Sequence, residues 1–96
     1  MRYTESSTKF RRDLKRELKG LHRYLFVKGG EFDTVKNILQ NDIPLPAKYR
    51  DHALHNNWEG FRECHIRPDL LLIYRYEGED FLILERIGTH SEIFGL

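Results

Sequence analysis

One cysteine and three prolines stand in the 96-residue sequence, and no stretch has the unbroken apolar length of a membrane span. Cys64 alone cannot close an internal disulfide, so a cross-linked scaffold is excluded and a reducing cytoplasm is the simplest home. No N-terminal segment reads as a signal peptide. An excess of one charge is missing too: 16 lysines and arginines face 15 aspartates and glutamates, a formal net charge of +1. Net charge therefore gives no sign of nucleic-acid binding. Repeats, low-complexity tracts and linkers are absent, so one domain over residues 1–96 is expected. A chain of this length buries roughly 60–65% of its unfolded surface, enough for one modest core.

The distribution of charge says more than its sum. Lys9, Arg11, Arg12, Lys15, Arg16, Lys19 and Arg23 crowd one short segment, diluted by Asp13 and Glu17. In the same segment Phe10, Leu14, Leu18 and Leu21 recur at helical spacing, behind the N-cap candidates Ser6, Ser7 and Thr8. This predicts a basic first helix that Gly20 ends or bends, preceded by a short strand anchored on Tyr3. After "YLFV" and the breaker Gly29-Gly30, a second helix with Phe32, Val35, Ile38 and Leu39 inward is expected. Pro44 and Pro46 bar its continuation. From there the period changes. "GFRECHI", "LLLIYRY" and "FLILERI" read as strands joined by "RPD" and the hairpin turn "EGED". Helices first and an antiparallel meander second argue for an α+β fold, with helices on one face of the sheet.

Four of the five histidines lie at 52, 55, 65 and 90. His52 and His55 are three apart, but no second spaced pair accompanies them, and Cys64 and His65 point to opposite faces of a strand. A zinc site needs three or four convergent ligands, so no metal is expected. His65 ends a strand near Asp69, which suits either acid–base chemistry or a plain turn. In a regular strand Leu84 and Arg86 share one face, opposite Glu85, so Arg86 could be a solvated residue and Phe94 a core residue. Singly, none of these identifies a function.

In combination they do. "PLPAKYRDHAL", "W.GFRECHI.PDLLLIY" and "ERIGTHSEIFG", in that order, resemble the RelE superfamily of bacterial toxins, in its YafQ branch. The resemblance is carried by motif over about residues 40 to 95. The N-terminal half agrees in its helix–helix plan and basic first helix. The resemblance implies two N-terminal helices against a curved antiparallel sheet, similar to the microbial ribonucleases. It also implies an endoribonuclease that cuts mRNA in the ribosomal A site without a metal or other cofactor, held in check by a cognate antitoxin protein. Residue by residue it points to His52, His65, Asp69, Arg86 and His90 as catalytic. It adds Glu63 and Phe94, and from the basic helix Lys9, Arg12 and Arg16, as substrate contacts. Leu70 departs from members that carry Trp directly after the Asp.

RNA supplies its own nucleophile, the 2′-OH. A metal-free ribonuclease must remove that proton, stabilise the phosphorane and protonate the leaving 5′-oxygen. Histidine, with an ordinary pKa of about 6.5, can serve at either end. His90 is expected to be the acid and Arg86 the phosphate ligand. His65 or Asp69 is the expected base, with His52 as alternative. Phe94 either stacks on a codon base or packs beneath His90. The rival readings are a toxin of the same fold that poisons DNA gyrase and a domain that binds ribosomal RNA through the basic helix.

Overall fold

The computed structural model describes residues 1–95. Strand β1 (Tyr3–Ser6) leads into helix α1 (Thr8–Glu17), and a 3-10 turn at Arg23–Phe26 carries the chain to helix α2 (Glu31–Gln40). A 3-10 turn at Ala47–Tyr49, the short strand β2 (His52–Ala53) and another 3-10 turn at Asn56–Trp58 follow. Strands β3 (Arg62–Arg67), β4 (Leu70–Glu77) and β5 (Phe81–Gly88) then form the meander, and helix α3 (His90–Phe94) closes the described chain. The sheet order is β1-β5-β4-β3-β2. Every neighbouring pair is antiparallel except β1, which runs parallel to β5. The expected α+β plan is present, with a parallel edge strand and a third helix added to it.

Local chemistry explains the helices. The Ser7 hydroxyl accepts the Phe10 N–H at 2.9 Å and starts α1. The helix stops at Glu17, ahead of Gly20, because Lys19 and Gly20 already bond three residues back, to Arg16 and Glu17. Helical spacing therefore fails beyond that point. Leu18 and Leu21, assigned by period to the inward face, are exposed. Helix α2 buries Phe32, Val35 and Leu39 as expected, with Ile38 half-buried. Gly30 is required at its start: a Cβ there would meet the Leu25 carbonyl oxygen at 2.7 Å.

The sheet then separates two environments. On the helical face Phe10, Phe32, Val35 and Leu39 pack on Cys64, Ile66, Leu70, Leu72 and Tyr74, with Leu82, Leu84 and Ile87 from β5. The other face carries a smaller cluster. Leu71, Ile73 and Ile93 pack there with Leu54, Trp58, Phe61 and Phe94 from the loop before β3 and from α3. Strand alternation sorts the residues of β3 and β4 between these faces.

Candidate active site

Alternation on β3 sends Cys64 into the helical core and Glu63 and His65 to the other face. Cys64 is fully buried, and burial pushes its thiol up, away from reactivity. Glu63 and His65 are 4% and 8% exposed, rare for ionisable groups, so they need partners. They supply them to each other: Glu63 Oε1 lies 3.0 Å from His65 Nε2. The other His65 nitrogen, Nδ1, faces the Pro68 carbonyl oxygen at 3.3 Å. Both nitrogens thus face acceptors, and only a ring protonated on both can donate to both. Across the β2–β3 ladder His52 stands opposite Glu63. Its Nδ1 lies 2.7 Å from the Arg50 carbonyl oxygen, and its half-exposed Nε2 is 3.6 Å from Glu63 Oε1.

The third histidine arrives from the other side of β3, beyond β4 and β5. Thr89 caps α3 in a capping box: its hydroxyl accepts the Glu92 N–H, and Glu92 accepts the Thr89 N–H at 2.9 Å. That start presents both the backbone N–H and Nδ1 of His90 to Asp69 Oδ1, at 3.2 and 3.1 Å. Asp69 occupies the Pro68-Asp69 turn between β3 and β4. The two bonds, backbone first and ring second, hold its exposed carboxyl below the usual carboxylate range. With Nδ1–H donated to Asp69, Nε2 of His90, on a half-exposed ring, has no bond to a described residue. The rings of His52, His65 and His90 make a row, with His65 6.1 Å from one and 5.9 Å from the other. Phe94 extends it, 6.2 Å from His90 and edge-on to Trp58 at 5.6 Å.

Arg86 does not share a face with Leu84. A bulge at Glu85 shifts the β4–β5 register, so that Leu84 pairs with Tyr74 and Arg86 with Ile73. The expectation from strict alternation fails for that reason. The side chain is held by α1: Nε and Nη2 of Arg86 donate to the two oxygens of Asp13 at 2.6 and 3.2 Å, and Nη2 also meets the Glu92 carbonyl oxygen. Nη1 has no bond to a described residue. Asp13 is 2% exposed and also accepts the Ile87 N–H at 3.1 Å. Burial alone pushes the Asp13 carboxyl up, but the Arg86 fork, the Ile87 N–H and Arg16 outweigh it and leave the group below the ordinary range.

Arg16, read in the sequence as a substrate contact, is paired with the protein's own groups, although its side chain stays 39% exposed. It bonds Asp13, Glu17, Glu92 and the Ile87 carbonyl oxygen. Asp13 and Arg16 thereby satisfy both backbone groups of Ile87, where β5 has run past the end of β1. Gly88 leaves room for this: a Cβ there would stand 2.5 Å from Arg16 Nη2. Lys9 and Arg12 are exposed on α1, where Thr8, Arg11, Arg12 and Lys15 line a groove of about 320 Å³.

The structure thus unites His52, Glu63, His65, Asp69, His90 and Phe94, sets Arg86 beside α3, and keeps Lys9 and Arg12 on the basic helix. His55 stands apart, paired with Glu59 at 3.7 Å. A ligand-like set exists where the spacing did not place one: His52, Glu63 and His65 offer ligand atoms within 4.8 Å of one another. Two imidazoles and a carboxylate are donors that zinc or copper accepts. Sequence reading missed Asp13, which lies 73 positions from Arg86 and gave no local signal. It also missed α3, although Thr89-x-x-Glu92 spells a capping box.

Two helices on one face of a small, mostly antiparallel sheet, with a row of histidines on the other, define a toxin of the RelE superfamily. The profile of the family described as "Bacterial toxin of type II toxin-antitoxin system, YafQ" matches residues 2–95, and the chain belongs to that family. It is 45% identical over 58 residues to the mRNA interferase toxin YafQ of Escherichia coli K12, an alignment covering 60% of this chain. The aligned part spans 62% of that relative's length. A metal-bound toxin from Helicobacter pylori superposes with a TM-score of 0.84 at 40% identity, covering 98% of this chain and all of that one. The E. coli DinJ–YafQ complex matches with a TM-score of 0.80 at 36% identity, over 99% of this chain and all of that one. No helix among the described residues is long and apolar enough to cross a membrane. None of these relatives carries the gyrase reading.

Proposed function

We propose that this chain is the toxin of a type II toxin–antitoxin pair and an endoribonuclease that cuts mRNA in the ribosomal A site, in the cytoplasm, until its antitoxin binds. The observation that carries the reading is the histidine row, with a carboxylate on each side of His65: Glu63 at its ring and Asp69 at the ring of His90. The names of the E. coli relative and of the DinJ complex support the substrate and the partner.

The division of labour follows from which nitrogens remain available. His90 Nε2 has no bond to a described residue, and Asp69 on Nδ1 fixes that tautomer and stabilises the imidazolium. His90 is thus the general acid for the leaving 5′-oxygen, and Asp69 positions it. Because Asp69 and both His65 nitrogens are engaged, His52 is the better base. It is half-exposed, with Nε2 beyond hydrogen-bonding distance of Glu63. His52 lies on β2 and His90 beyond β5, so base and acid stand on opposite sides of His65, as in-line displacement requires. His65, with both nitrogens engaged, holds Glu63 and the neighbouring rings in place, and Arg86 offers its remaining Nη1 to the phosphate as charge builds.

The test is to add the protein to a translating extract and map new 5′ ends on one message. Cuts within codons held in the A site are expected, and faster than on the same message free of ribosomes, because the ribosome pre-orients the strand. An unbroken message overturns the proposal.

A further inference from the structure

Beside the histidine row lies a cavity of about 180 Å³ that the acid–base groups do not use. The 3-10 turn at Ala47–Tyr49, the start of α2 and the end of β3 enclose it, and His65 forms one wall. Its floor is apolar, from Tyr49, Ile66 and Pro68; Tyr49 and Ile66 are buried, Lys48 Nζ stands 5.0 Å over the Tyr49 ring, and Pro68 is exposed. Its charged groups are three cations, Lys48, Arg50 and Arg67, and one carboxylate, Glu31. Glu31 is already neutralised: it pairs with Arg67, accepts the Tyr49 hydroxyl at 2.9 Å, and has Lys48 Nζ at 3.8 Å. The surplus is cationic, beside the exposed apolar ring of Pro68.

Arg50 stands out among these groups. Its backbone is left-handed, with φ 51° and ψ 41°, in a region that L side chains occupy at a cost. Two bonds hold it there: its N–H donates to the Ala47 carbonyl oxygen, and its own carbonyl oxygen meets His52 Nδ1. The same residue therefore fixes the ring of the proposed base and carries an exposed guanidinium that no bond to a described residue engages. A phosphate is the natural partner for such a fork.

We propose that this cavity is the subsite for the nucleotide on the 5′ side of the scissile bond, the one whose 2′-OH attacks. Its base lies against Pro68, the exposed part of the floor, and Arg50 and Lys48 grip its own 5′-phosphate. This inference rests on the nuclease reading above. It selects the upstream nucleotide because the cavity is walled by His65 and by Arg50, whose carbonyl oxygen holds His52, whereas the 5′-leaving oxygen belongs at His90, on the far side of the row.

The experiment measures single-turnover cleavage of a ribosome-bound message by the full chain against toxin concentration. It uses wild type, Arg50→Ala, Lys48→Ala, Lys28→Ala and His90→Ala, with thermal melts confirming each fold. Lys28 is an exposed cation outside the cavity. Loss of a charge-assisted phosphate contact raises the half-saturating concentration of Arg50→Ala about tenfold, and that of Lys48→Ala by less. The maximal rate falls far less than in His90→Ala. Unchanged half-saturation in both cavity variants, beside a dead His90→Ala, overturns the subsite and leaves the nuclease standing. A shift in Lys28→Ala as large as in Arg50→Ala also overturns it, since bulk charge is then the cause. A wild type that makes no cut removes the nuclease reading itself, and the subsite with it.

Discussion

The two faces of β3 differ in everything but backbone. Cys64 and Ile66 point into the helical core, where they are 0% and 3% exposed and belong to its apolar cluster. Glu63 and His65, one residue away in each case, are nearly as buried yet charged or chargeable, and each is spoken for by the other. Burial on the first face lowers free energy through apolar contact, at about 25 cal/mol per Å². Burial on the second face carries a desolvation cost that the Glu63–His65 pairing and the Pro68 carbonyl on His65 Nδ1 offset. The first face stabilises the fold. The second holds reactive groups in place with stability drawn from the first.

A third region lies between them. Buried Asp13, half-buried Arg86 and exposed Arg16 form an ionic joint between α1, β5 and α3, serving both fold and site. The sharpest way to break the division is there. Asp13→Ala leaves the Arg86 guanidinium buried without its carboxylate, and a loss of about 3–5 kcal/mol in unfolding free energy is expected by urea titration. A loss below 1 kcal/mol would mean that solvent replaces the carboxylate. The same joint sets a pH dependence. The folded Asp13 carboxyl lies below its unfolded value near 4, so its stabilisation is complete above that value and fades as pH falls through the folded one. Asp13→Asn should flatten that acid limb, which urea midpoints between pH 2 and 5 measure.

Leu72→Ala attacks the helical face alone. It removes a fully buried side chain, so about 2–4 kcal/mol of stability is expected to go while cleavage per folded molecule persists. Loss of specific activity in the folded fraction would show that the faces are coupled. Arg86→Lys tests the joint more gently. A lysine keeps the charge but cannot hold both Asp13 oxygens in a fork, and about 1–3 kcal/mol is expected to be lost, with slower cleavage as well. Asp69→Asn acts on the exposed face only. It weakens the hold on His90, and roughly tenfold slower cleavage with an unchanged melting temperature is expected. A rate equal to wild type would remove Asp69 from the site.

The division also explains what could be read in advance. The strands β3, β4 and β5 and the core of α2 follow from apolar runs and from period, which are local properties. The motifs around His52, His65, Asp69 and His90 were legible as a set because each lies in a short contiguous segment. What stayed hidden depends on distant pairing. The two residues of β2 are a strand only because β3 lies opposite them. Arg86 leaves the Leu84 face only because the β4–β5 register slips at Glu85. Arg16 looked like a free cation because its partners, Glu92 and the Ile87 carbonyl, are far along the chain.

The most direct test of a working face carried by a separate folding face is His90→Ala, measured for melting and for cleavage of ribosome-bound message in one preparation. His90 is exposed, and its ring neighbours, His65 and Phe94, lie outside the helical core. The account predicts a melting temperature within about 2 °C of wild type, and a cleavage rate lower by roughly 10²–10⁴. A variant that cuts at the wild-type rate, or one that loses activity only because it has unfolded, would contradict it.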